Sequence, residues 1–413
     1  MRVSVVSWLL WGMVVASAAP LAAHEARGHF DAGVQAFTQG QYAEALTQLN
    51  RAITSYPNYA QAHYMLGSVY YQQQDYERAQ QALQQAITLY PSYAEAHYLL
   101  AALHYQRQDM STAQQAIRHA LLAYPRYEEA LMLFAVLAEH QQHWSQAQET
   151  YQQVIAVNSD NMEASLRLAI VLENGGKLEE AKQAYQRVVA RQPQHLEAQL
   201  YLGRLAERLQ QPQEALAAYQ AILQHQANHA EALAHLAALY DKQGQAEQAI
   251  ATYTRLLEHY PSRAEVALSL GALYEQQGNA AAAERAYQQA ITARPDDVEA
   301  SYQLALLYYK QPQIPQAIDL LQQVVKRQPT HAEAHYYLGM LYVNRKEYAA
   351  AITHFEAAIA AKPDFREAHY SIGVCYEFYV PDLTKALEHY RLFLELGGTD
   401  TRIQQLVKHS AGR

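Results

Sequence analysis

Histidine is the first place to look for catalytic or metal chemistry, because the chain has 19 of them against a single cysteine. His24 and Glu25 are followed by His29, which resembles the H-E-x-x-H of a helical zinc site. The spacing is one residue too long, so the second imidazole leaves the face a metal needs. His225 with His229 and His331 with His335 do have the four-residue spacing that puts two rings on one helical face. Both pairs lie at boundaries between helical stretches, however, and neither has a third ligand. No G-x-S-x-G turn, phosphate-binding glycine loop with its lysine, C-x-x-C or dinucleotide fingerprint occurs. Cys375, being alone, forms no internal disulfide. The residues therefore point to no enzyme, no metal and no cofactor.

A second possible chemistry is acidic. Nine successive segments place Glu at the same register, from Glu95 to Glu367. Six of them follow a capping residue by three: Ser92, Ser262 and Thr330 precede Glu95, Glu265 and Glu333, while Asn228, Asp296 and Asp364 precede Glu231, Glu299 and Glu367. Such a ladder is either a set of ligands for a partner or a set of helix starts. Capping and the helix dipole account for it without a partner.

The elements that must carry these residues follow a strict period. Prolines stand at 57, 91, 125, 193, 261, 295, 329 and 363, separated by 34 residues or multiples of 34. Alanine recurs on the same period at all ten positions from Ala45 to Ala351. A small-residue series runs through Gly33, Gly67, Ala101, Ala135, Ala169, Gly203, Ala237, Gly271, Ala305, Gly339 and Gly373, with an apolar residue before each from Leu66 to Ile372. Apolar and small residues three or four apart predict one helix from Ala264 to about Gln277 and a second from Ala280 to Ala293. Gly278-Asn279, Gly175-Gly176 and Gln243-Gly244 mark the breaks between the two helices of a unit.

Composition supports this reading. Of 413 residues, 50% are hydrophobic and only 17% charged, the polar balance being held by 49 glutamines. Such a chain is too apolar to be disordered. The net charge of −9 and the absence of any basic cluster argue against a nucleic-acid partner or an anionic membrane surface, since both need concentrated positive charge. At the N-terminus a basic start, an apolar run from Val3 to Ala19 and the small residues Ala16-Ser17-Ala18 predict a cleaved signal peptide over residues 1–18. The expected location is thus exported, periplasmic or secreted. An uncleaved membrane anchor is the alternative, although the run falls short of the roughly 20 residues a bilayer requires. No cysteine near the start could carry a lipoprotein anchor.

The repeat resembles the tetratricopeptide repeat (TPR), in its exported bacterial form. One unit reads Leu338-Gly339, Tyr342, Ala351, Phe355, Ala358, Pro363, and another Leu270-Gly271, Tyr274, Ala283, Tyr287, Ala290, Pro295. The resemblance covers residues 26–399, or eleven units. It implies an all-α fold, an α-solenoid forming a right-handed superhelix of helix-turn-helix units. The last unit departs from the pattern: near Tyr379-Val380-Pro381 one extra residue shifts the expected Ala and aromatic to Ala386 and Tyr390. Residues 400–413, with Ile403, Leu406 and Val407, read as a capping helix and tail. Two helices of about 14 residues, near 21 Å long, cannot bury their shared face alone and must stack on the next pair.

In this family a concave groove is lined mainly by the first helix of each unit. Its fifth place falls here on Tyr64, Tyr98, Met132, Leu166, Leu200, Ala234, Leu268, Tyr302, Tyr336 and Tyr370. Its twelfth falls on Tyr71, Tyr105, Glu139, Glu173, Glu207, Asp241, Glu275, Tyr309, Val343 and Glu377. The resemblance thus implies tyrosine patches at both ends, with a line of acids between them. Either these rings contact a ligand or they only pack neighbouring helices. The lysines of the family's carboxylate clamp are absent, so chaperone tails are not expected. The expected function is a non-enzymatic scaffold for protein or peptide partners, within a cell-envelope assembly. A glycan-handling module of an exopolysaccharide secretion system is the alternative, its tyrosines stacking on sugar rings. Membrane contact is expected only if the N-terminal segment stays uncleaved.

Overall fold

Why the chain folds into hairpins is visible at the alanine register. All ten alanines from Ala45 to Ala351 are fully buried, each on the second helix of its pair. The small-residue series faces them from the first helix. A Cβ added at Gly271, Gly339 or Gly373 would come within 2.5 Å of the rings of Tyr287, Phe355 and Tyr390 respectively. Large side chains on one helix thus cross the other where it has least bulk.

The computed structural model describes residues 21–410; the segment expected to be a signal peptide, 1–18, lies outside them. Five helical hairpins, from Leu21–Thr38 with Tyr42–Ser55 to Met162–Asn174 with Leu178–Arg191, precede the helices Leu196–Arg208 and Pro212–His225, and five more follow, from Ala230–Lys242 with Ala246–His259 to Arg366–Val374 with Leu383–Glu395. A last helix, Thr401–Ser410, buries Ile403 completely and lays Leu406 and Val407 against the final hairpin. Among the described residues there is no strand, and within each compact unit packing runs between consecutive helices. This is the all-α repeat architecture expected from the sequence. The chain separates into two compact units, one ending at Gln211 and the other beginning at Pro212.

Most turns between the first and second helix of a unit are closed by a residue in left-handed backbone. Gly40, Gly176, Gly244 and Gly278 hold this place with φ of 73°, 79°, 70° and 73°. The next amide reaches back five residues, as Gln41 does to the Ala36 carbonyl at 2.8 Å, satisfying a carbonyl the helix end leaves open. Four glutamines and a lysine occupy the same slot elsewhere: Gln74, Gln108, Gln142, Gln210 and Lys346, with φ between 57° and 63°.

The first helices start one residue later than the capping boxes predict. Their caps are Tyr93, Arg263, His331, His229, Asp297 and Phe365, not Ser92, Ser262, Thr330, Asn228, Asp296 and Asp364. The residue after each proline is used in the turn; Ser262, for example, accepts the Ala264 amide on its own carbonyl at 3.1 Å. Where the true cap can accept, it does: Asn161, His195, His229, Asp297 and His331 each bond the amide three residues on.

The extra residue of the last unit is absorbed in one place. Its first helix runs α-helical over Arg366–Val374 and widens to a π turn over Cys375–Tyr379, closed by the Val380 amide on the Cys375 carbonyl at 2.9 Å. Past this turn Ala386 and Tyr390 are again fully buried.

Candidate functional site

Four of the five tyrosines at the fifth place of a first helix meet the residue that starts the first helix of the next unit, while Tyr370 meets Phe393 of its own hairpin at 5.2 Å. Tyr64 lies 5.1 Å from Tyr93, Tyr98 5.3 Å from Tyr127, Tyr302 4.7 Å from His331 and Tyr336 5.0 Å from Phe365, ring centre to ring centre. Such tilted pairs are favourable beyond the area they bury. The rings therefore form rungs between units, half-buried, with one edge left at the surface. Burial pushes the Tyr64 phenol up to about 12 and also raises Tyr98 and Tyr302. These phenols stay protonated throughout the physiological range, as donors that carry no charge.

In the second compact unit, Tyr337 gathers the candidates around itself. Its ring is 6.3 Å from Tyr302, 5.3 Å from Tyr309 and 5.5 Å from Tyr336. Tyr336 and Tyr370 also line one open cleft of 350 Å³ with Arg366, Glu367 and Phe393. In the first unit the twelfth-place rings pack on the same apolar clusters as the rungs and have close partners of their own. Tyr71 packs edge-on to Tyr76 at 6.0 Å, and the Tyr105 hydroxyl bonds His140 Nε2 at 3.0 Å.

The acids at the twelfth place are engaged inside the fold. Glu139 accepts the Tyr151 hydroxyl at 2.7 Å and pairs with Arg167 at 3.3 Å. Glu173 accepts from Tyr185 at 3.0 Å and pairs with Arg208. Glu275 accepts from Tyr287 at 3.0 Å and pairs with Lys310 at 2.5 Å, and Glu377 accepts from Tyr390 at 2.6 Å and pairs with Arg402 at 2.6 Å. In each case the tyrosine comes from the same hairpin and the cation from a later helix. The acid line thus carries its own counter-charges, and its effect on a charged ligand is smaller than the sequence implied.

The histidine pairs serve the backbone. His229 and His331 are helix caps whose Nδ1 accepts an amide at 3.3 and 3.2 Å. His335 Nε2 donates to the Pro329 carbonyl at 3.1 Å, which leaves its Nδ1 to accept from His354 Nδ1 at 3.1 Å. The same arrangement recurs at His369, Pro363 and His389. Among the described residues no three metal-ligating side chains gather.

Sequence reading missed one aromatic series. Tyr56, Tyr90 and Tyr124 precede prolines of the period, are 41%, 53% and 41% exposed, and lie about 6 Å from Tyr59, Tyr93 and Tyr127. The Tyr-Pro pair, repeated every 34 residues, was the available signal.

Comparison with known proteins agrees with this architecture. The C-terminal part of a TPR repeat-containing protein from Cytophaga hutchinsonii is 17% identical over 59% of this chain and 99% of its own, with a TM-score of 0.51, which shows a shared fold. The MamA protein is 27% identical over 40% of this chain and 91% of its own, with a TM-score of 0.38. A tetratricopeptide repeat protein from Parabacteroides merdae is 20% identical over 60% of this chain and 97% of its own, with a TM-score of 0.41. No curated protein matches the sequence. The family described as "Tetratricopeptide repeat" matches seven times, over residues 30–93, 65–128, 132–181, 166–232, 234–298, 302–364 and 341–400. With its hairpins, its buried alanine register and these matches along nearly the whole chain, the protein belongs to the tetratricopeptide repeat family.

Proposed function

We propose that the chain is a non-enzymatic scaffold that holds segments of partner proteins on its first helices. The observation that carries this reading is the row of rings at one register: half-buried Tyr64 and Tyr98 in the first compact unit, and half-buried Tyr302 and Tyr336 with exposed Tyr370 in the second. Rings fixed by a neighbouring helix offer apolar area at little entropic cost, and their hydroxyls supply directional bonds. An extended or helical peptide, with apolar side chains at regular intervals, is the ligand such spacing suits. The cleft beside Tyr336 and Tyr370 offers one place for such a side chain.

Export to the cell envelope belongs to the same proposal and is supported by the basic start and apolar run of the N-terminal segment. N-terminal sequencing of the protein from its native cells tests it: a mature chain beginning near residue 19 supports export, and an intact Met1 in the cytoplasm overturns it.

The binding reading is tested by Tyr98→Ala combined with Tyr336→Ala. The double variant should keep its helical circular dichroism and lose the partner cross-links that the wild-type chain forms in native envelopes. Retention of every cross-linked partner would reject the surface.

A further inference from the structure

The last complete units show what the tyrosine rungs hold when a cation is present. Lys362 extends over the Phe365 ring, with Nζ 5.1 Å from its centre, and reaches Glu333 Oε1 at 3.5 Å. Tyr336 backs that ring at 5.0 Å. Acid and ring thus hold a half-exposed ammonium group, by charge and by the ring's quadrupole together, with Tyr336 behind the ring.

Seven repeats earlier the same register reads Glu95, Tyr98, Tyr124 and Tyr127 in place of Glu333, Tyr336, Lys362 and Phe365. The acid is present, and the two rings meet at 5.3 Å, as their counterparts do. Only the lysine is missing, and an exposed tyrosine stands where it would begin. A second carboxylate joins the site from the following unit: Glu129 has a buried Oε2 with no hydrogen-bond partner. Burial most of all raises the Tyr127 phenol, followed by Tyr64 and then the charges of Glu129 and Glu95, so both carboxylates lie within electrostatic reach of that ring. The equivalent acids in most other units are engaged: Glu163 with Arg167, Glu265 with Arg294, Glu299 with Gln303, Glu333 with Lys362 and Glu367 with Arg366. No ion pair involves Glu95 or Glu129 among the described residues.

We propose that Glu95, Glu129, Tyr98 and Tyr127 form a receptor site for one lysine or arginine side chain of a bound partner segment, the guest cation taking the place that Lys362 fills in the second compact unit. The inference rests on the scaffold reading and makes it specific, since it requires a basic residue in the segment that crosses these units. Two unpaired carboxylates beside neutral rings favour a cation over a neutral side chain, and over a sugar, which would leave the Glu129 oxygen without a counter-charge.

The test titrates the full chain by calorimetry with two capped peptides: one with lysines alternating with serines, the other its twin with norleucine for lysine. The lysine peptide should bind at least about tenfold more tightly than its twin, and should weaken as salt rises. Tyr124→Lys rebuilds the Lys362 arrangement from an exposed position, so the chain's own ammonium should fill the site and cost about tenfold in peptide affinity, with helicity unchanged. Glu95→Gln should cost a similar factor, and Glu247→Gln, an exposed acid elsewhere, should cost nothing. Equal binding of the two peptides, undiminished binding by Tyr124→Lys, or an equal effect of Glu247→Gln overturns the cation site. If both peptides bind equally and Tyr98→Ala abolishes both, the cation site falls while the binding surface stands. If native cross-links survive in the Tyr98, Tyr336 double variant, the surface itself falls.

Discussion

Replacing Gln74, Gln108, Gln142 and Gln210 together by glycine should stabilise the first compact unit. All four hold left-handed backbone with φ between 57° and 62°, and all four side chains are exposed, so no packing is lost. A side chain in this conformation costs roughly 1–2 kcal/mol, because Cβ crowds the following carbonyl. Glycine escapes that cost but gives up about 0.5–1 kcal/mol more chain entropy on folding. The net gain is about 0.5–1 kcal/mol per site. The sites are at least a full repeat apart and share no partners, so the gains should add to roughly 2–4 kcal/mol. In a stacked array each repeat contributes its own stability to the total, so the gain appears in the unit's unfolding. Urea titration followed by far-ultraviolet circular dichroism should show the unit's midpoint rising by roughly 1 M, with an m-value of about 3 kcal/mol/M. Gly176→Gln, made at the same slot, should move it the other way. An unchanged or lower midpoint for the quadruple variant, or a stabilising Gly176→Gln, would refute the assignment of strain to this turn.

Two further outcomes follow from the core and its histidines. Ala249→Leu forces three extra heavy atoms into a fully buried contact between helices and should cost about 1–3 kcal/mol, read as an earlier thermal transition; an unchanged melting curve would contradict the packing at that register. His354 sits against His335 and Tyr342, and burial, then the neighbouring histidine, lowers its pKa to about 4. Because the unfolded chain takes up this proton near pH 6.5 and the folded one only near pH 4, the stability is fully present above pH 6.5 and is lost as the pH falls between those values. His354→Gln should flatten the fall of the urea midpoint over that window, and an identical slope in the variant would show that the histidine pair has no part in it.

The repeat was legible because its contacts are made by residue size at fixed spacing. Ala249 and Gly271 are small for reasons that hold in every unit, and a period of 34 exposes them without any structure. The helix starts were misplaced by one residue because Ser262 and Asp296 have capping chemistry but are spent on the turn after proline, while the real caps include tyrosines and histidines that no propensity would select. The fate of the twelfth-place acids was hidden differently. Glu139 is paired by Arg167 and Tyr151, residues 28 and 12 positions away, and only the stacking of hairpins brings them together. Tyr64 and Tyr98 could be placed on one register from the sequence, but their partners Tyr93 and Tyr127 could not, since the position that caps each helix had been assigned to its neighbour. The Tyr124 series lay in plain view beside the prolines, yet the family pattern directed attention to the first helices.

The widened turn at Cys375–Tyr379 bears on how such a chain tolerates error. One surplus amino acid in a regular helix would rotate everything after it by about 100° and turn the buried alanine outward. Here the slack is taken up by five peptide groups, and Ala386 re-enters the core as if nothing had been inserted. Miscounting is thereby quarantined in a single coil of backbone, so a lengthened copy of the motif can persist at the end of the series without corrupting the copies that precede it.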